Sequence, residues 1–420
     1  MTLFRFVHAA DIHLDSPFAA VGAESEELAQ KFIESTRDAF RRVVDLCIRR
    51  QADFLVLAGD VYDGSHKSLR AQLELRSGLG ALARRGIHTF ISCGNHDHLG
   101  GWRASLTWPP EVHFFGPEVE VHRVVRDGEE VARVQGVSYP RAAVTENLAA
   151  GFRKDPAGPF AVGVLHANVG GVPSHENYSP CTLEDLASTG IDYWALGHVH
   201  APKTLRDHGP TVVYPGSTQG RNPRETGPHG CQVVTVDNGA VSSIEFCPVD
   251  SIRWETVEVS IDELETLDDL VTRAEAEIIR AAAMADGRSL VVRVILGGRG
   301  RLDGEVRRSH VSRDILTLIR DRLGGGDPFI WVESLISNTT KEVDIEAFRR
   351  EGSLVSDFLS EVEETLADPE ALDMLRRDLA QRLRRRKLAA IIESMEAEEF
   401  KDVVRAAGRL GLDLLLPEEV

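Results

Sequence analysis

The stretch Phe54-Leu-Val-Leu-Ala-Gly-Asp-Val-Tyr-Asp-Gly64 decides the fold. Its apolar run has the length of a buried strand, stops at Gly59 and then presents Asp60. A carboxylate on a strand's exit loop stands where open α/β sheets bind ligands, beyond the carboxyl ends of their strands. Taken alone, the same residues also suit a plain turn. What the neighbouring strands deliver to the same place therefore carries the argument.

Before this stretch, residues 3–10 read as a first strand that ends at Asp11-Ile-His13. Residues 25–50 have helical spacing in Phe32, Phe40, Val43, Leu46 and Cys47. After it, residues 69–82 form a second helical pattern closed by Arg84-Arg85-Gly86. A strand over 87–92 empties into Cys93-Gly-Asn-His-Asp-His98. Strand, helix, strand, helix, strand in this order indicates βαβ units and an α/β fold. Residues 112–137 shift to short alternating runs broken by Arg126-Asp-Gly128, the pattern of hairpins. Residues 160–165 are a buried strand ending on His166, and 193–196 end in Gly197-His-Val-His200 after a helix near 182–188. Runs at 212–214, 232–236 and 241–246 complete the sheet pattern.

The spacing places a domain over 1–249, a small α/β domain over 250–340 and a helical segment over 341–420. The middle segment has no phosphate loop or metal signature of its own. In the last, Asp368-Pro369 suits an N-cap and first turn, and Leu372, Leu375, Leu379 and Leu383 form an apolar stripe. A basic cluster of Arg382 and Arg384 to Lys387 follows, then Phe400, Val403, Val404, Leu410 and Leu414. Such stripes pack within a chain or present a face to a partner helix.

With 420 residues the chain is long enough for two or three domains, and 42% apolar and 27% charged residues are ordinary for a globular protein. No apolar run approaches the ~20 residues needed to span a bilayer. The N-terminal run is too short for a signal peptide. Five scattered cysteines without CxxC spacing suggest reduced thiols in a cytoplasmic protein and no zinc-thiolate site. The formal charge of −18 argues against a chain that is basic throughout, though nucleic-acid affinity depends on local patches and bound cations.

Five strand-end clusters carry the chemistry: Asp11-x-His13, Asp60-x-x-Asp63, Asn95-His96-Asp97, His166 and His198-x-His200. Oxygen and nitrogen donors without thiolate suit Mn²⁺, Fe²⁺, Zn²⁺ or Mg²⁺. Two adjacent ions need a shared ligand, and a carboxylate bridges where an imidazole does so poorly, so Asp60 is the expected bridge. Asp11, His13 and His200 would complete one metal site; Asn95, His166 and His198 would complete the other. Strand alternation would put Asp11 and His13 on one face, and likewise His198 and His200. His96 is left to face the substrate, stabilising the transition state or protonating the leaving alkoxide. Asp97 is grouped with it at the catalytic position, and Asp97 and Asp63 would orient His96 and the ligands. Water whose pKa the cations lower would attack phosphorus in line. Basic residues offered to substrate phosphates are His66, Lys67, Arg70, Arg103 and, above all, Arg221 and Arg224 in a Gly/Pro-rich loop.

These motifs in this order resemble the calcineurin-like metallophosphoesterases over roughly residues 3–246. Protein serine/threonine phosphatases have GDxxDRG and GNHE, whereas Gly64 and Asp97 stand here. Small cyclic-nucleotide phosphodiesterases share GNHD and GHxH but end near the catalytic domain. Residues 10–18, Tyr214-Pro-Gly-Ser217 and the stretch 219–227 look like the YhaO-type branch of SbcD-like DNA repair exonucleases. That resemblance implies an αββα sandwich, a Mn²⁺-dependent nuclease acting on DNA, a capping domain, and C-terminal helices that dock on an SbcC-like, SMC-type ATPase. It also makes a homodimer plausible for a DNA-end enzyme. One departure is Gly-Asp-Val-Tyr-Asp at 59–63, where SbcD-like nucleases often have GDLFD or GDLFH; it is conservative for the metals and leaves substrate geometry open. Two other functions compete: a small-molecule or cyclic-nucleotide phosphodiesterase of the same superfamily, and a non-catalytic scaffold for the ATPase. Intact ligands at all seven positions argue against the scaffold.

Overall fold

A computed structural model describes residues 3–16, 26–64, 68–171, 176–342, 354–383 and 386–415. The chain divides into two compact units: Met1–Val259 with Val271–Ile295 and Arg313–Ile336, and Ser260–Leu270 with Leu296–Ser312 and Ser337–Val420.

The first unit is built on two six-stranded sheets. One contains β1 (Leu3–Ala9), β2 (Phe54–Ala58), β3 (His88–Ser92), β4 (Val112–Phe114), β11 (Gly230–Asp237) and β12 (Ala240–Pro248), in the order β12-β11-β1-β2-β3-β4. The other contains β5 (Glu120–Arg126), β6 (Glu129–Gly136), β7 (Phe160–His166), β8 (Tyr193–Gly197), β9 (Lys203–Arg206) and β10 (Thr211–Tyr214), in the order β5-β6-β7-β8-β10-β9. Strands β1 to β4 run parallel, as do β6, β7, β8 and β10. Period-two alternation sorts each strand's side chains between layers. Phe4 and Phe6 of β1 join Phe54, Val56, Phe90, Phe160, Val162 and Tyr193 between the sheets. Val7, Leu55 and Leu57 face the other way, onto helices α1 (Glu26–Arg49) and α2 (Leu69–Ala83). Helix α3 (Leu183–Ser188) covers the far face of the second sheet through Leu186, Trp194 and Leu196. The layers are thus helix, sheet, sheet, helix.

The expected hairpins over 112–137 need one correction. Only β5 and β6 form a hairpin, around Asp127-Gly128, whereas β4 pairs parallel with β3 as the edge of the first sheet. Alternation reports which face a residue takes and says nothing about which sheet a three-residue run joins.

Strands β13 (Ile252–Ser260), β14 (Ser289–Gly297) and β16 (Ile330–Ser337) form a third sheet; along the chain, helix α4 (Leu267–Ala283) lies between β13 and β14, and α5 (Asp303–Val306) and α6 (Ser309–Leu323) lie between β14 and β16. Within the first unit, Ile252, Trp254 and Val291 pack with Leu28 and Phe32 of α1. The second unit includes β15 (Arg299–Gly300) paired parallel with β17 (Thr340–Lys341). It also includes helices α7 (Leu354–Ala367), α8 (Pro369–Arg382), α9 (Arg386–Ser394) and α10 (Ala397–Leu415). Asp368 caps α8 by accepting from the Glu370 N–H. Leu372 and Leu379 pack with Phe400, Val403 and Val404, but Leu375 is 39% exposed and Leu410 and Leu414 are more so. Seven residues bring Leu379 back over Leu372, whereas three leave Leu375 about 60° to one side. Arg384, Arg385 and the side chains of Arg386 and Lys387 lie outside the described residues. No helix among the described residues is long and apolar enough to cross a membrane.

The sandwich closes most tightly where β2, β7 and β8 end. A Cβ added at Gly197 would lie 1.8 Å from the Ala58 carbonyl oxygen and 2.8 Å from His166 Nδ1. Gly197→Ala is expected to destabilise the protein by about 3 kcal/mol, the upper range for overpacking. Urea denaturation tests this, and an unchanged midpoint would contradict the close approach.

Candidate metal centre

The exit loops of β1 and β2 are hydrogen-bonded to each other. The N–H groups of Asp11, His13 and Leu14 donate to the carbonyls of Gly59, Asp60 and Val61 at 3.1, 3.0 and 2.9 Å. The backbone there is left-handed at Asp11 (φ 50°), His13 (φ 48°), Asp15 (φ 63°) and Asp60 (φ 51°), and again at His198 (φ 98°). Such conformations cost about 1–3 kcal/mol each for non-glycine residues and persist where surrounding contacts impose them. They correct the expectation from strand alternation: left-handed turns, not pleating, aim Asp11 and His13.

Asp60 is buried between imidazoles. Its Oδ2 lies 3.4 Å from His166 Nε2 and 3.9 Å from His13 Nε2, and its Oδ1 accepts from the His96 N–H at 2.9 Å. Burial opposes its charge, yet His166, His13 and His96 hold its carboxyl well below the usual range. Asp11 is equally buried; burial pushes its carboxyl upward against the pull of His166 and His200. His13 is pushed well down, by burial and then by Arg221, so its imidazole is neutral. Both ring nitrogens of His13 are buried without a hydrogen-bond partner. His166 is fixed by Nδ1–H donating to the Ala58 carbonyl at 2.9 Å, which turns Nε2 toward Asp60 and toward Asn95 Oδ1 at 3.1 Å. Burial works against charge on His166, but Asp60 and Asp11 push its pKa up to about 9, a demand that a bound cation would meet in place of the proton.

Three groups bring ligand atoms within 4.8 Å of one another: Asp11, His13 and His200; Asp11, Asp60 and His166; and His13, Asp60 and His96. Buried carboxylates, an orphaned neutral imidazole and a donor set of oxygen and nitrogen fit divalent cations.

The remaining expected residues are distributed unevenly. The His198 N–H donates to both Asp11 oxygens, at 3.1 and 3.0 Å, while its Nε2 sits 2.7 Å from the Glu176 carbonyl. It joins none of the three groups among the described residues. His200, by contrast, groups with Asp11 and His13, and the backbone at His198 is left-handed, not extended as strand alternation requires. His96 lies closer to the cluster than expected, with Nδ1 3.6 Å from Asp63 Oδ2 and its side chain 42% exposed. The Asp63 carboxylate facing its ring, opposed by partial burial, raises its pKa. Asp97 points away from His96: its oxygens accept from the N–H groups of Gly94, Val61 and Asp60 at 2.6, 3.0 and 3.3 Å, and burial pushes its pKa up to about 6. It braces the exit loops of β2 and β3 against each other. Arg221 reaches the rim, donating from Nη1 to Ser16 Oγ at 3.3 Å, while Arg224 is exposed. Arg103 is engaged inward, on Cys93 Sγ and the Asp97 carbonyl, and Arg70 is exposed on α2. His66 and Lys67 lie outside the described residues.

Two supporting groups escaped the sequence reading. Glu225 accepts from His200 Nδ1 at 2.8 Å and from the Arg221 N–H at 2.8 Å. Burial opposes its charge, but His200 and Arg221 bring its pKa down to about 2. Asp15 accepts from Arg37 Nε and from Ser68 Oγ, each at 2.5 Å, joining the metal loop to α1 and to the N-cap of α2. Glu225 lies in the loop singled out for its arginines, but nothing in its spacing marks it as the partner of His200.

Fold and donor set define a phosphoesterase, and the chain belongs to the calcineurin-like phosphoesterases. That family's model matches residues 4–202, and the model of the middle domain of metallophosphoesterase YhaO matches residues 254–340. The chain is 34% identical over 356 residues to the "uncharacterized metallophosphoesterase YhaO" of Bacillus subtilis, covering 82% of this chain and 84% of that one. It is 28% identical over 313 residues to "DNA double-strand break repair protein Mre11" of Methanopyrus kandleri, covering 68% of this chain and 66% of that one. It is 24% identical over 250 residues to a subunit of the nuclease SbcCD of Bacillus subtilis, covering 51% of this chain and 61% of that one.

Glu225 fixes the tautomer and direction of His200, so Glu225→Ala is expected to weaken Mn²⁺ binding about 10–100-fold, as loss of such a partner does elsewhere. Calorimetric titration reads this directly; unchanged affinity would show that His200 needs no such support.

Proposed function

We propose that the protein is a dinuclear metal-dependent phosphodiesterase that hydrolyses DNA, working as an exonuclease in repair with an SbcC-like ATPase. The observation that carries the reading is the convergence of Asp11, His13, Asp60, His166 and His200, from four strand exits, around a neutral His13 whose nitrogens have no partner. In this reading Asp11, His13 and His200 would hold one ion, Asn95, His166 and His198 would hold the other, and Asp60 would serve both. Bound there, divalent cations, Mn²⁺ foremost, supply Lewis acidity and lower the pKa of water from about 15.7 toward 7. The chain's own residues do the rest. His96, held by Asp63, donates a proton to the leaving alkoxide. Arg221 meets the phosphate at the rim, and Asp97 keeps Asp60 and Asn95 in register.

DNA as substrate is supported by the likeness to proteins named for double-strand break repair and to part of a nuclease. Exposed Leu354, Met374, Leu410 and Leu414 on the C-terminal helices support docking of the ATPase there, and exposed Leu69 and Leu73 on α2 leave a face for a homodimer. We retain 1–249 as nuclease domain, 250–340 as capping domain and 341–420 as docking segment, in a cytoplasmic protein.

With Mn²⁺ and end-labelled duplex DNA, the wild type should cut, and His96→Ala should lose about 10²–10⁴-fold in kcat while retaining metal. A protein that binds two Mn²⁺, spares DNA and hydrolyses small phosphodiesters would replace this reading with the small-molecule one. Metal counting separates the ligands: Asp60→Asn should disturb both ions and His200→Ala chiefly one. Loss of the same single ion in both variants would remove Asp60 from its shared position.

A further inference from the structure

Beside His200 a cleft of about 770 Å³ opens between the 222–229 loop and β14, lined by Pro202, Arg224, Glu225, Pro228 and Arg293 among others. Its size is that of a pocket for a drug-sized ligand or a short stretch of polymer. The His200–Glu225 pair already described is part of its lining, so the cleft borders the candidate metal centre. Among the described residues no phenylalanine, tyrosine or tryptophan lines it, and its two imidazoles are engaged, His200 with Glu225 and His229 with Ser217 and the Glu225 carbonyl. Two guanidinium groups line it instead. Arg224 is exposed, and its side chain has no hydrogen bond or ion pair among the described residues. Arg293 is held from behind. Its Nε and Nη2 donate to the Glu333 carboxylate at 3.2 and 3.3 Å, and its Nε also donates to Ser334 Oγ at 3.2 Å. That grip leaves Nη1 without a hydrogen bond among the described residues. An arginine oriented through two of its nitrogens, with the third free, is pre-organised to take an anionic oxygen.

We propose that this cleft is a backbone subsite for a nucleic-acid strand, in which Arg293 and Arg224 bind a phosphate of the same strand beyond the scissile one. The proposal rests on the phosphodiesterase reading above and extends it. Arg293 lies in the segment that matches the YhaO middle-domain model, so that segment contributes to substrate binding as well as packing. With arginines and prolines, and no rings beyond two hydrogen-bonded imidazoles, the subsite reads the charged backbone and is indifferent to base identity.

The test compares two esters with the Mn²⁺-loaded full chain: bis(p-nitrophenyl) phosphate, which has no phosphate beyond the scissile one, and a single-stranded thymidylate dodecamer. Arg293→Ala should lower the ratio of kcat/KM for the dodecamer to kcat/KM for the small ester about tenfold, through KM, as loss of one charge-assisted contact predicts. The slope of log kcat/KM against log salt for the dodecamer should become shallower by about 0.7, one phosphate contact fewer. Arg293→Lys should keep that slope, which separates charge from any packing defect of the alanine variant. Equal losses on both esters, or none on either, would overturn the subsite, as would a wild type that cleaves the small ester and not the dodecamer. A wild type inactive on both esters would instead overturn the phosphodiesterase reading itself.

Discussion

Three backbone hydrogen bonds between the exits of β1 and β2 set the geometry on which the metal centre depends. They run parallel pairing one step past the last strand residues and hold Asp11, His13 and Asp60 in left-handed turns that none would adopt alone. Other elements are tied to the same place. Asp97 binds the β3 exit to the β2 exit through three N–H groups, the His166 ring hangs from the Ala58 carbonyl, and the His198 N–H donates to Asp11. Glycine is required at the centre, since a Cβ at Gly59 would lie 2.3 Å from His166 Nδ1 and Gly59 has φ 92°.

Electrostatics follows from that closure. Two carboxylates, Asp11 and Asp60, are taken out of water within reach of the same imidazole, and burial of like charges is costly unless positive charge joins them. The two carboxylates push His166 upward, toward carrying that charge, while burial pushes His13 down and leaves it with two orphaned nitrogens. The site is thus built around cations. This also explains how a chain of charge −18 can be suited to an anionic substrate: local arginines and bound ions decide, not the sum.

Around the clustered side chains, polar contacts run from the rim back to the scaffold. Arg221 reaches Ser16, Ser16 lies 3.4 Å from Asp63, and Asp63 is 3.6 Å from His96. Glu225 holds His200 and the Arg221 backbone together. The loop containing Arg221, Arg224 and Glu225 therefore joins the orientation of His200 to the rim of the candidate metal centre.

The sequence by itself determined which polar residues stand at the strand exits, because a buried strand, its terminal glycine and the polar residue after it are local in the chain. Asp11, His13, Asp60, His166 and His200 were legible for that reason, and so was the alternation that sorts Phe54 from Leu55 between layers. The tertiary structure alone decided what depends on distant pairs or on turn conformation. It took Asp97 to the backbone of Asp60, His198 to Asp11 and to the Glu176 carbonyl, and Arg103 inward to Cys93. It placed β4 beside β3, and brought Glu225 and Arg293, distant in sequence, to the lining of one cleft. Periodicity reports which face a side chain takes; only the closed backbone says what meets it there.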